Sequence, residues 1–149
     1  MIKKADKIYV TIQSLLFVLY IIPVTIFPIS FLPAIRYSGK MLFISGILIV
    51  LIALLQLNKF LTPFPTPKKN SKLLQSGLYK FVRHPIYTGI ILITFGYSFY
   101  TESLWKLLTA VILWILFYYK SKYEERLLKQ HFVDYEAYQK VSGRFFPFI

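Results

Sequence analysis

The stretch Ser76-Gly77-Leu78-Tyr79-Lys80-Phe81-Val82-Arg83-His84-Pro85-Ile86-Tyr87-Thr88-Gly89 gathers residue types that do chemistry. Gly77 permits a turn, and Pro85 suits the first turn of a helix, where its missing N–H costs nothing. Arg83 and His84 then lie at the amino-terminal mouth of that helix, where free N–H groups and the dipole favour an anion. Tyr87 falls one turn into the helix, and Tyr79 one turn before Arg83. A second cluster is Lys120-Ser121-Lys122-Tyr123-Glu124-Glu125-Arg126. Lys120 and Glu124 stand four apart and share a helical face. His84 and Glu125 are the nearby groups able to take a proton, and Arg83 is placed to meet an anion. The plainer alternative is that His84 caps a helix, Arg83 flanks a span and the two carboxylates are solvated.

The elements that must position these clusters follow from where charge is missing. The chain has 149 residues, 56% of them hydrophobic, yet carries 18 Lys plus Arg against 6 acids for a net charge of +12. A soluble domain does not combine those properties; a membrane protein does, provided charge and apolar length are segregated. No charged residue occurs over 8–35, 41–58, 85–101 or 107–119. Crossing a bilayer takes roughly 20 apolar residues. These runs predict an all-α membrane protein with about four transmembrane helices, near 8–32, 41–58, 85–101 and 103–119. A tight hairpin through Thr101 and Glu102 joins the last two, with Glu102 a solvated turn residue. Residues 1–149 form a single domain, with a loop over 59–84 and a tail over 120–149. The tail is helical to about Lys140 and broken at Gly143 and Pro147.

Orientation follows from the cations. With the amino terminus in the cytoplasm, 15 of the 18 Lys and Arg residues lie inside, leaving Arg36, Lys40 and Lys106 outside. Both termini are then cytoplasmic, and the loop and tail share one membrane face, in a composition compatible with a bacterial inner membrane. Pro63, Pro65 and Pro67 hold the start of the loop extended. The charges flank apolar spans and line no polar face, which argues against nucleic acid. The chain has no cysteine, which excludes disulfides, thiolate metal sites, thiol nucleophiles and prenylation of the chain itself. The first apolar stretch is too long and too rich in proline for a cleaved signal peptide, and reads as a retained helix. No small-xxx-small seam dominates, although Gly89 and Gly96 permit close helix packing; the oligomeric state is not legible.

In order along the chain stand Gly77, Tyr79, Arg83, His84, Pro85, Tyr87, Gly89, Glu124, Glu125, Tyr135, Tyr138 and Pro147. This series resembles the isoprenylcysteine carboxyl methyltransferase family and its relative, the phosphatidylethanolamine N-methyltransferases, from about Pro63 onward. The resemblance implies a membrane-embedded, S-adenosylmethionine-dependent methyltransferase of a fold unlike the Rossmann enzymes. The absence of a Gly-x-Gly-x-x-Gly fingerprint agrees with that. It implies a cofactor pocket at the cytoplasmic face, covered by the carboxy-terminal segment and open sideways to a lipid or lipidated acceptor. Tyr79, His84, Pro85, Ile86, Tyr87 and Glu124 would line the cofactor site, with backbone contacts from Leu73 and Leu74. Arg83 and Lys120 would serve the substrate, and no metal is implied.

Lys120 stands where the family usually has arginine. It keeps the charge but lacks the bidentate fork that suits a carboxylate, so carboxylate and amine acceptors both stay open. In either case the protein must hold donor and acceptor in line and exclude water. Tyrosine rings would favour the sulfonium, while an amine would also need a base. The competing reading is a non-enzymatic membrane protein that keeps the scaffold to bind a lipid or a protein partner.

Overall fold

A computed structural model describes residues 3–24, 29–57, 62–67 and 72–147. Five α-helices occur among these residues: α1 Lys4–Ile21, α2 Pro33–Leu57, α3 Pro85–Tyr100, α4 Leu104–His131 and α5 Tyr135–Val141. A 3-10 turn, Gly77–Lys80, precedes α3. No strand forms among the described residues, only an isolated parallel bridge between Val82 and Gly143.

The helix ends have local causes. Proline opens α2 and α3 at the first position, where no N–H is needed. Ser103 accepts from the Lys106 N–H at 3.3 Å and caps α4. At the start of α1, Asp6 accepts from the Lys3 N–H at 2.9 Å. The apolar run 8–32 is not one helix. α1 stops at Ile21 because Ile22 precedes Pro23 and adopts the extended conformation (φ −61°, ψ 124°) that a following proline enforces. The next helix starts at Pro33 and takes in Arg36 and Lys40, well before the uncharged run beginning at residue 41. The tail departs from a continuous helix too. Phe132, Val133 and Asp134 interrupt it, and α5 turns away from the end of α4.

α3 and α4 form the expected hairpin. α3 ends at Tyr100, and Glu102 takes a left-handed conformation (φ 51°) that reverses the chain. Such a conformation costs about 1–2 kcal/mol outside glycine. Glu102 is more than a solvated turn residue: its Oε1 accepts from the Phe31 N–H at 2.8 Å, and its Oε2 lies 3.9 Å from Arg36 Nε. It therefore ties the hairpin to the start of α2.

α3 is packed between α2 and α4, and α1 packs chiefly against α4. Four glycines set the α2–α3 approach. A Cβ on Gly39 would meet the Gly96 carbonyl at 2.8 Å, and one on Gly46 would meet the Gly89 carbonyl at 2.7 Å. The two helices run antiparallel with backbone against backbone at both crossings. The spacing is seven residues on each helix, which a search for four-residue spacing overlooks. Across the other faces, Leu16, Ile91, Leu113, Phe117 and Phe145 form the apolar core. The Tyr20 hydroxyl donates to the Thr94 carbonyl at 2.7 Å and ties α1 to α3.

The outer faces are apolar: Ile12 and Leu15 on α1, Leu48 and Leu55 on α2, Ile112 and Ile115 on α4 are all exposed. Water does not tolerate so extensive an apolar surface, whereas a bilayer requires one. α2 and α4 are long and apolar enough to cross a membrane. The charged second half of α4, from Lys120 onward, continues past its apolar run.

Candidate active site

The hairpin brings the start of α3 beside the middle of α4, and a cavity of about 320 Å³ opens between them. Its wall includes the ten residues that the resemblance assigns to cofactor and substrate, Leu73, Leu74, Tyr79, Arg83, His84, Pro85, Ile86, Tyr87, Lys120 and Glu124, but not Glu125. Ile90 and Leu128 add apolar wall, the proline-rich stretch Thr62–Pro65 closes one side, and Tyr135 and Tyr138 close another. Among the described residues no cluster of His, Asp or Glu could hold a metal ion.

Aromatic stacking fixes the centre. The Tyr87 ring lies between His84, at 5.3 Å, and Phe117, at 4.8 Å, nearly parallel to both. Its hydroxyl donates to Glu124 Oε2 at 2.8 Å. Glu124 Oε1 has no hydrogen-bond partner among the described residues. Lys120 is almost wholly buried, at 1% exposure. Its ammonium donates to Gln13 Oε1 at 2.6 Å and to the Pro63 carbonyl at 3.2 Å, and lies 5.3 Å above the Tyr87 ring. Burial lowers its pKa, against the opposing pull of Glu124 and Asp6. No carboxylate comes within salt-bridge distance of it among the described residues.

Glu125 plays another part. Adjacent to Glu124 but turned to the other side of α4, it accepts from Arg83 Nε at 2.9 Å, Arg144 Nε at 3.2 Å and Gln139 Nε2 at 3.1 Å. Burial would raise its pKa, but His84, Arg144 and Arg83 around it hold the carboxyl well below the usual carboxylate range. Glu125 is thus a fixed anion at the centre of a cation cluster and an unsuitable base. Arg83 lines the cavity while its guanidinium also donates to the carbonyls of Gln139 and Ser142.

These bonds pin the chain after α5 over the site. Arg83 N–H donates to the Gly143 carbonyl at 2.8 Å, His84 N–H to the Arg144 carbonyl at 3.1 Å, and Gly143 N–H returns to the Phe81 carbonyl at 3.0 Å. Thr88 Oγ1 donates to the Phe145 carbonyl at 2.7 Å, and the Tyr138 hydroxyl to the Tyr79 carbonyl. Burial pushes the Tyr138 hydroxyl up to about 12, so it remains a protonated donor at neutral pH. His84 also departs from the capping role: its side chain makes no cap bond, and its ring is buried against Tyr87.

Residues 35–134 match the model of the phospholipid methyltransferase family. The chain belongs to that family. The resemblance read from Tyr79, Arg83–Tyr87 and Glu124–Glu125 is thereby borne out, and all ten singled-out residues fall within the matched span. Among solved structures, the eukaryotic intramembrane Ras methyltransferase, an isoprenylcysteine carboxyl methyltransferase, shares the fold with a TM-score of 0.69 and 22% sequence identity. The alignment covers 100% of this chain and 55% of that one, so the chain spans about half the length of that methyltransferase. No curated protein matches this sequence.

Several wall residues escaped the sequence reading. Gln13 sits in α1, far from either motif, and only the antiparallel packing of α1 on α4 brings it to Lys120. Thr62, Pro63 and Pro65 read as a stiff linker, and nothing local says which way it folds. Tyr135 and Tyr138 stood in the ordered series but had no assigned task.

Proposed function

We propose that this chain is a membrane methyltransferase that uses S-adenosylmethionine to methylate a lipid or lipid-linked acceptor at the cytoplasmic face of a bacterial inner membrane. The observation that carries this reading is the convergence of two segments more than thirty residues apart, 79–87 and 120–124, on one cavity in a family fold. The cavity falls in the roughly 300–1,000 Å³ range of small-molecule sites and has their character, aromatic and apolar with few polar groups. Tyr135 Oη, a buried polar atom on a lining residue, has no hydrogen-bond partner among the described residues, which suits a polar ligand.

S-adenosylmethionine would supply an electrophilic methyl group on a sulfonium. Tyr79, His84, Pro85, Ile86, Tyr87 and Glu124 would hold it, with backbone from Leu73 and Leu74. The Tyr87 ring offers a π face, and its hydroxyl fixes Glu124 so that Oε1 points away as a free acceptor. Lys120, a cation in the cavity wall, would steer the acceptor's polar head. Arg83 would orient the site by clamping Glu125 and the carboxy-terminal segment, and the proline-rich strap and α5 would keep water out. Four spans in one domain, near 8–32, 41–58, 85–101 and 103–119, with both ends cytoplasmic, fit the gathering of Lys120, Lys122, Arg126 and Arg144 at the cavity end. Arg36 and Lys40 lie at the opposite end.

The test is S-adenosylmethionine binding to detergent-purified protein by calorimetry. Micromolar binding, weakened by Tyr87→Ala and by Glu124→Ala, is the expected result; a folded sample that binds none would overturn it. A methylated lipid that vanishes on deletion of the gene and returns only with the wild type would exclude a purely binding role.

A further inference from the structure

A second groove lies on the opposite side of Glu125 from the cavity, where α4 leaves its apolar run. It has a volume of about 630 Å³, and Lys122, Arg126, Lys129 and Arg144 line it together with Tyr9 and Tyr119. Lys122, Arg126 and Lys129 follow one another at four and three residues along α4 and so share a face. Arg144 joins them from the carboxy-terminal segment: both Lys122 Nζ, at 4.5 Å, and the Arg144 guanidinium, at 5.4 Å, sit over the Tyr118 ring. The one carboxylate in the wall, Glu125, is already neutralised by Arg83 and Arg144. Among the described residues neither Lys122 nor Arg126 pairs with an acid, and Lys129 has only exposed Glu136 at 3.5 Å. The groove is therefore cationic beyond what its own side chains can offset.

Its surroundings say what kind of anion it suits. One turn deeper along α1 and α4 lie exposed Ile12 and Ile115, and beyond them Leu15 and Ile112. The groove thus has a cationic floor at one end and continues into an apolar face at the other. Two tyrosines stand at the join, where amphipathic rings settle at a membrane interface. A free anion would use only the floor; a phospholipid with an anionic headgroup would use both, its phosphate among the cations and its chains along α1 and α4. We infer that this groove is a binding site for one anionic phospholipid, separate from the cavity where the reaction is proposed to occur. The inference stands on the groove's own charge and shape and does not depend on the methyltransferase reading.

Native mass spectrometry of the purified full chain, titrated separately with phosphatidylglycerol and phosphatidylcholine, tests it. Phosphatidylglycerol is expected to be retained preferentially as a single adduct. Each surface cation contributes enough for Lys122→Gln with Arg126→Gln to weaken that retention roughly 20- to 30-fold, with phosphatidylcholine adducts unchanged. Should the double variant melt early, Lys129→Gln alone is expected to give a loss of about 5-fold by the same reasoning. Equal retention of the two lipids, or full retention by a folded double variant, would overturn the proposal. So would displacement of the lipid by glycerol phosphate at equal concentration, since that would show a site for the free anion.

Discussion

Replacing Glu125 with glutamine keeps the size and one acceptor oxygen but removes the charge that Arg83, Arg144, Gln139 and His84 surround. Glu125 is 3% exposed, and the Arg83 side chain against it is 10% exposed. Removing one partner of a buried pair costs about 3–5 kcal/mol, because the other charge is left uncompensated. Arg144, 22% exposed, can turn toward water, so the lower end, about 3 kcal/mol, applies. For a chain of this size that lowers the melting temperature by about 6–12 °C. Intrinsic fluorescence of the two tryptophans during heating in detergent reads it directly. The sign of the pH dependence follows from the lowered carboxyl. The stabilisation is complete above the ordinary value of 4.5 and is lost progressively as pH falls below it toward the folded-state value. At pH 3.5 about 1.4 kcal/mol of it should be gone, and the gap between wild type and Glu125→Gln should narrow by about 3–6 °C. A variant melting within 2 °C (roughly 1 kcal/mol) of wild type at pH 7, or a gap constant from pH 7 to 3.5, would refute the ion cluster as a structural clamp.

Gly96→Leu forces a side chain against the Phe43 N–H and the Gly39 carbonyl, each within 2.6 Å of a Cβ at that position. It should cost at least about 1–3 kcal/mol, seen as early melting or loss of the monodisperse peak in size-exclusion chromatography. Tyr87→Phe keeps the stacked ring but frees Glu124. It is expected to weaken S-adenosylmethionine binding about ten-fold with little change in melting, and unchanged affinity would remove Glu124 from the proposed cofactor wall. Thr88→Val deletes the bond to the Phe145 carbonyl and should cost about 1–2 kcal/mol, measurable as faster proteolysis of the carboxy-terminal segment.

The helices were legible because bilayer solvation writes itself as uncharged length, and proline marks where the backbone must change direction. The start of α3 was legible for the same reason: Pro85 fixes the first turn, so Arg83, His84 and Tyr87 fall at its mouth. Glu124 could be assigned to that mouth only through the Thr101–Glu102 reversal, which a short polar interruption suggests. Other features depend on pairings between distant segments and leave no local trace. Glu124 and Glu125 are adjacent and chemically identical, yet one faces the cavity and the other the cation cluster; only the rotation of α4 against α3 decides which. Gly89 and Gly96 pointed to close packing of α3, but its partner was not legible, because the meaning lies in the matched spacing of Gly39 and Gly46 on α2. Gln13 reaches Lys120 because α1 runs antiparallel to α4, a packing choice invisible from an apolar stripe exposed on most of its circumference.

The bond pair between Phe81–Arg83 and Gly143 makes the roof of the cavity depend on a segment distant in sequence. The carboxy-terminal segment that completes the cavity lies some sixty residues after the stretch it pairs with, as the Val82–Gly143 bridge shows. In a chain truncated before Ser142, the α3–α4 hairpin keeps its own contacts. Yet Arg83 and Thr88 lack the carbonyl partners that hold the roof in place. Such a chain would have the helical shell and an open cavity, with Glu125 facing one arginine instead of two. Closing so long a loop is entropically cheap once its ends are brought together by the hairpin, since the cost grows only with the logarithm of length. Completion of the site is thereby tied to the carboxy-terminal segment and not to the helical hairpin alone.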